Sequence, residues 1–312
     1  MSWPLPPRGR PAVSVREVGP RDGLQVEAPV AVSDRAALVG ALVAAGVTDV
    51  EAAAFVSPGA VPAMAGGAEV MAGIDRAPGV RYWALVPNRR GAELALTAGA
   101  DGLTVTVSAS EAYSRANVGM SVEESVAEVG AVCSLVGGAV PVDAVVSCAF
   151  GSPYEGDLAP AAVASLSRRL VEGGATSLTL ADTTGMAMPG RVVELVGLVE
   201  LAVGAGVGLH LHETRGTGLV NAYAGWEAGV ARFDTSVGGL GGSPFAAGAA
   251  GNLATEALVH LLDDLGVETG VDLEGLLAAA ELVRRLVGHD LPSRVAAAGP
   301  RSRRLSPPVG SG

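Results

Sequence analysis

Lysine is absent from all 312 residues, so every one of the 21 basic side chains is arginine. Whole reaction classes go with it. A Schiff-base aldolase and pyridoxal-phosphate chemistry both need a lysine amine, and so does a Walker-A phosphate loop. Cysteine is scarce: Cys133 and Cys148 fit neither a metal-ligand spacing nor a disulfide framework, and their apolar surroundings read as those of buried free thiols. Long apolar runs are missing, because Gly, Pro or charge interrupts each one before membrane-spanning length. The first eleven residues carry Pro and Arg without the apolar core of a signal peptide, so a cytoplasmic protein is expected. Positive charge is also in short supply. With a net charge of −11, neither nucleic acid nor an anionic membrane is expected as a partner. An anionic substrate must therefore meet a local arginine or a metal.

The chain is rich in apolar residues, at 49%, which suffices for a sizeable core. Residues 1–12 and 291–312 are rich in Pro, Arg, Ser and Gly and read as disordered tails. Between them, β-like runs at residues 13–18, 49–55, 81–86, 102–107, 143–149, 177–181, 208–212 and 232–237 alternate with helical stretches. The helical stretches cover residues 33–45, 64–74, 89–98, 122–136, 161–172, 191–205, 219–228 and 253–265. Many of them end on a glycine-containing turn, such as Ala45-Gly46-Val47 or Ala228-Gly229-Val230, where glycine suits the left-handed cap. Eight such units predict an α/β fold of the (β/α)8 TIM-barrel type over residues 13–290. The runner-up is a doubly wound open sheet, weakened by the lack of a Gly-x-Gly-x-x-Gly after the first run. The Ala/Leu-rich stretch at 273–287 would pack under the barrel or form a dimer contact.

In such barrels chemistry sits at the carboxyl ends of the strands. Here those ends are polar: Arg21 and Asp22, Glu51, Asn88, Ser110 and Glu111, Asp182, then His210 and His212, then the glycine-rich stretch to Asn252. On a strand His210 and His212 share one face, with Cα atoms roughly 6.6 Å apart from twice the strand rise. That pair suits one divalent metal, although a bare His-x-His is more often a pair of half-buried histidines. Asp22 would add a carboxylate, or simply serve the Asp22-Gly23 turn. Arg21 beside it would be a fixed positive charge for an enolate or carboxylate oxygen, or a surface salt bridge.

The stretch Glu17-Val18-Gly19-Pro20-Arg21-Asp22-Gly23-Leu24-Gln25 resembles the opening motif of the hydroxymethylglutaryl-CoA lyase family, within the wider group that includes isopropylmalate synthases. The likeness continues in order through Glu51 to Pro58, Pro87-Asn88, Gly151-Ser152-Pro153-Tyr154-Glu155-Gly156 and Asp182-Thr183-Thr184-Gly185. It then runs through the His-x-His, Gly238 to Gly242, and Gly251 to Glu256. The resemblance implies a divalent-metal TIM barrel that acts on an acyl-CoA, with Mg2+ or Mn2+ held by Asp22, His210, His212 and Asn252. It implies Arg21 at the enolate oxygen, Glu51 as an active-site acid, Asp182 as a carboxylate near the substrate, and Glu256 orienting a ligand. Gln25 and Arg215 are candidate substrate contacts, and a homodimer is expected.

The reaction implied is cleavage of a 3-hydroxy-3-methylglutaryl-CoA-like thioester to acetyl-CoA and a 3-oxo acid. His210 or Asp22 would take the hydroxyl proton. Without lysine, a metal-assisted route is the common aldolase-type route left. The family carries a cysteine as proton donor in the loop after the eighth strand, whereas this chain reads Gly241-Gly242-Ser243-Pro244-Phe245. Serine is a far weaker acid than a thiol of pKa about 8.5. The alternatives are therefore a condensing acyl-CoA synthase acting on a 2-oxo acid, or a non-catalytic metal-binding barrel. Gly59-Ala60 and Arg215 also depart from the family pattern and bear on the acyl substrate.

Overall fold

Eight parallel strands close on themselves in sequence order, each paired with its neighbours and the last with the first. The computed structural model describes residues 12–242 and 250–304. The strands are β1 (Ser14–Glu17), β2 (Asp49–Ala54), β3 (Arg81–Leu85), β4 (Gly102–Ser108), β5 (Val142–Ser147), β6 (Ser177–Ala181), β7 (Gly208–His210) and β8 (Arg232–Thr235). Helices α1 (Val32–Ala44), α2 (Gly67–Gly73), α3 (Arg89–Thr97), α4 (Glu111–Val118), α5 (Val122–Val136), α6 (Pro160–Glu172), α7 (Pro189–Val203) and α8 (Gly218–Glu227) return the chain between strands. After β8 come α9 (Thr255–Asp264), α10 (Leu273–Val287) and α11 (Arg294–Ala298). This is the TIM barrel expected from the alternating pattern.

The alternation arises because the strands are buried on both faces and the helices that return the chain between them on one. β2 and β5 are buried at every position. On α5, Val129, Val132 and Val136 face inward at helical spacing. Ser121 caps that helix through a reciprocal box with Glu124, and Gly137 ends it in the left-handed conformation. α10 buries Leu276, Ala279, Ala280 and Val283 and packs on α1.

Two segments differ from expectation. The polar stretch after β4 is a helix, α4, capped by the Ser110 hydroxyl accepting from the Tyr113 N–H at 3.1 Å. The segment read as a tail from residue 291 carries α11, capped by Ser293, and the Ser293 N–H donates to the Gly238 carbonyl at 3.1 Å. Its polar composition conceals a short capped turn tied to the loop after β8. No helix among the described residues is long and apolar enough to cross a membrane.

Candidate metal centre and active site

The site is built where β1, β7 and β8 end. After β1 the chain makes a π-helical turn, Gly19–Gly23, in which the Val18 carbonyl accepts from the Asp22 and Gly23 N–H groups. This turn delivers Arg21 and Asp22 inward, and both are buried. β7 delivers His210, and His212 follows two residues later on the same face. Beyond β8, residues 251–253 lie alongside the end of β7. At Asn252 the chain pairs with His212 in an antiparallel bridge, with Leu253 N–H donating to the Leu211 carbonyl at 2.8 Å. The returning strand passes so close that a Cβ on Gly251 would overlap the Gly239 carbonyl oxygen. Gly241, at φ +103°, leaves room for the Asn252 amide in the same way.

Asp22, His210 and His212 offer ligand atoms that all lie within 4.8 Å of one another. Among the described residues this is the one cluster of three such groups. The two Nε2 atoms are 3.1 Å apart, and His210 Nε2 is 3.9 Å from Asp22 Oδ2. Asn252 donates its amide N–H to Asp22 Oδ2 at 2.7 Å and to the Leu240 carbonyl at 2.9 Å. Its Oδ1 is buried with no hydrogen-bond partner among the described residues. An amide oxygen left so has lost its water and gained nothing, which is costly unless a cation or water meets it. The Asp22 carboxylate and the two imidazoles thus converge, with the Asn252 amide bonded to that carboxylate, a donor set that fits a divalent cation.

The electrostatics agree. Burial, then the charge of His210, pushes His212 down to about 4, so it is neutral and free to ligate near neutrality. For Asp22, burial opposes ionisation, but Arg21, His210 and His212 outweigh it and hold the carboxyl below its usual range. Arg21 is gripped by Glu51, which takes hydrogen bonds from its guanidinium, and donates to Asp22 Oδ1. Asp182 accepts from the Met186 and Ala187 N–H groups at 2.7 and 3.0 Å through Oδ1. Its Oδ2 is buried without a hydrogen-bond partner among the described residues, and burial raises its pKa to about 6.

Several of the expected site residues hold protein groups in this structure. Glu256 does not touch a ligand. Its carboxylate accepts from the Gly238 N–H at 3.1 and 3.2 Å and so holds the loop after β8. Glu51 is committed to Arg21 and positions it. Gln25 turns its amide to Asp22 Oδ1 at 3.0 Å and to the Gly242 carbonyl at 3.5 Å. Arg215 is exposed, and its Nη1 donates to the Thr184 and Gly185 carbonyls at 2.9 and 2.8 Å. Ser243 lies outside the described residues. Sequence reasoning missed Asp234, whose Oδ2 lies 3.4 Å from His210 Nδ1. An acidic residue inside a short strand gave no signal of its own.

The chain matches known proteins along nearly its whole length. The HMGL-like family profile covers residues 12–283. Hydroxymethylglutaryl-CoA lyase of Pseudomonas mevalonii is 44% identical over 287 residues, which is 91% of this chain and 95% of that protein. The 3-hydroxy-3-isohexenylglutaryl-CoA/hydroxy-methylglutaryl-CoA lyase of Pseudomonas aeruginosa is 42% identical, over 92% of this chain and 96% of that one. Among solved structures, an HMG-CoA lyase from Acenitobacter baumannii in complex with coenzyme A and 3-methylmalate superposes with a TM-score of 0.92 at 39% identity. The alignment covers 95% of this chain and 98% of that one. With the barrel, the convergent donors and this coverage together, the chain belongs to the HMGL-like family of the hydroxymethylglutaryl-CoA lyases.

Proposed function

We propose that this protein is a divalent-metal-dependent carbon–carbon lyase that cleaves 3-hydroxy-3-methylglutaryl-CoA to acetyl-CoA and acetoacetate. The carrying observation is the cluster of Asp22, His210 and His212, with Asn252 bonded to Asp22, beside the buried guanidinium of Arg21. The named relatives support the substrate class. Mg2+ or Mn2+ suits the oxygen and imidazole donors. When bound, the cation supplies Lewis-acid polarisation of the substrate oxygens.

The residues supply the rest. The reaction removes the hydroxyl proton, turns that oxygen into the ketone of acetoacetate, and sends the electron pair of the broken carbon–carbon bond into the thioester enolate. A proton on the enolate carbon then completes acetyl-CoA. Asp182 is the group we assign to the hydroxyl proton, rather than His210 or Asp22. Both His210 nitrogens are engaged, Nδ1 towards Asp234 and Nε2 towards the donor cluster. Both Asp22 oxygens accept hydrogen bonds. Asp182 instead has one unpartnered buried oxygen and a pKa near 6, matched to accepting a proton near neutrality. Arg21, locked by Glu51 and Asp22, neutralises enolate charge without reorganising during the reaction.

The test is direct. Purified protein with Mn2+ or Mg2+ is offered 3-hydroxy-3-methylglutaryl-CoA and its isohexenyl analogue, and acetyl-CoA release is followed. Release that depends on metal and disappears in His212→Ala is the expected result. Metal binding without release from either thioester would overturn the reading. Free thiol appearing with acetyl-CoA and a 2-oxo acid would move the protein to the condensing class.

A further inference from the structure

The inside of this barrel holds a buried guanidinium that the chemistry above does not use. Arg16 projects from β1 and is 1% exposed, where TIM barrels ordinarily stack branched apolar side chains. Burying such a charge is costly unless its partners are well placed. Arg16 grips Asp234 at two points, Nε to Oδ1 at 2.8 Å and Nη2 to Oδ2 at 2.6 Å. Nη2 also reaches Asp143 Oδ2 at 2.8 Å, and the guanidinium lies 5.2 Å from the centroid of the Trp83 ring. The strand registers explain the arrangement. Arg16 on β1 is level with Asp234 on β8, and Asp234 is level with His210 on β7. The three side chains form one row across three neighbouring strands.

We propose that Arg16 is a positioning residue for the metal site, acting through Asp234 to hold the His210 ring with Nε2 towards the cation. This rests on the metal-site reading given above. His210 Nδ1 faces Asp234 Oδ2 at 3.4 Å, and that oxygen is one of the two Arg16 holds. With Nδ1 carrying its hydrogen towards Asp234, the lone pair is left on Nε2, the nitrogen that stands beside His212 and Asp22. The duty of Arg16 is to Asp234 rather than to Asp143. Asp143 has a guanidinium of its own, since Arg232 Nη2 and Nη1 approach it at 3.1 and 3.3 Å, and it also accepts from Ser177 and Thr179 at 2.7 Å each. Among the described residues, Arg16 is the one guanidinium paired with Asp234. Without it the Asp234 carboxylate would be a buried anion with the histidine ring alone to face, free to turn and to release that ring.

Three variants test this: Arg16→Met, Arg16→Lys and Asp234→Asn, with the Met/Asn double variant. Two readouts are taken. One is Mn2+ affinity, from electron paramagnetic resonance of the free ion. The other is the imidazole tautomer in metal-free protein at alkaline pH, where the rings are neutral, from 15N chemical shifts. Arg16→Met and Asp234→Asn are each expected to weaken Mn2+ about 10-fold or more. The double variant should be no weaker than Asp234→Asn, because both losses act through the same ring. His210 should lose its single Nδ1–H tautomer in Arg16→Met while His212 keeps its own, and Arg16→Lys should fall between wild type and Met. The proposal is overturned if Arg16→Met lowers only the melting temperature and leaves affinity and tautomer as in wild type. It is equally overturned if the two losses multiply in the double variant. Should Arg16→Met fail to fold, wild-type behaviour of Arg16→Lys in both readouts overturns it. If wild type takes up no Mn2+, the metal reading fails, yet the tautomer comparison still decides the positioning role.

Discussion

A single oxygen of Glu17, Oε1, accepts from the Val237 N–H at 2.9 Å across 220 residues of chain, and also from the Gly19 N–H at 2.7 Å. It thereby ties the turn that carries Arg21 and Asp22 to the head of the loop that leads to Asn252. Burial raises this carboxyl to about 7, against hydrogen bonds from Thr255, Val237 and Gly19. Between about 4.5 and 7 the folded chain holds a proton that the unfolded chain has released. The stabilisation is complete below about 4.5 and is lost as the pH rises through about 7, a change on the order of 3 kcal/mol. Urea midpoints compared with Glu17→Gln should show a difference that varies across this window and is constant outside it. A wild-type profile parallel to that of the variant would contradict the assignment.

Asp182→Asn should separate chemistry from folding. The asparagine oxygen can still accept from the Met186 and Ala187 N–H groups, so thermal stability should change little. Loss of the base should lower kcat/KM by about 10²–10⁴-fold. Wild-type kcat/KM should rise with pH through about 6, where Asp182 ionises, and this limb should vanish in the variant. Retention of the limb would assign the titration to another group.

Gly251→Ala should damage the metal site from outside it. The added carbon meets the Gly239 backbone oxygen, which no rotamer change can relieve, so the strand bearing Asn252 must move. Far-ultraviolet circular dichroism should still report the barrel, while Mn2+ affinity falls about 10-fold or more. Unchanged affinity would show that Asn252 does not depend on this close approach.

Ser243→Cys tests the departure in the glycine-rich loop. A thiol of pKa about 8.5 is a much better proton donor than a hydroxyl, and general acid catalysis contributes about 10²–10⁴-fold where it operates. Faster acetyl-CoA release in the variant is expected if this position delivers the last proton. Equal rates would assign that proton to a different donor.

The barrel and the metal donors were legible because their signals are local. Apolar runs between glycine caps mark strands and helices, and His210 and His212 announce a shared face by spacing alone. Asp234 and Arg16 were not legible. Each is one of two charged residues in a four-residue strand, and only the register between strands brings them level with His210. α4 was missed because its eight residues bury little, although Ser110 ahead of Glu111 is a cap signal. The contact of Glu256 with the Gly238 N–H was not legible for a similar reason. That contact depends on how the loop after β8 folds back, and no pattern along the chain encodes that path.

The Asp22–Asn252 contact joins residues 230 positions apart. On the ribosome, at about 5–20 residues per second, Asp22 is made on the order of 10–50 s before Asn252 exists. Through that interval Asp22 is without this partner, and a chain released before Asn252 would lack the contact even with all eight strands made. The Asp22–Asn252 bond can therefore form only after the codons for the whole barrel have been read.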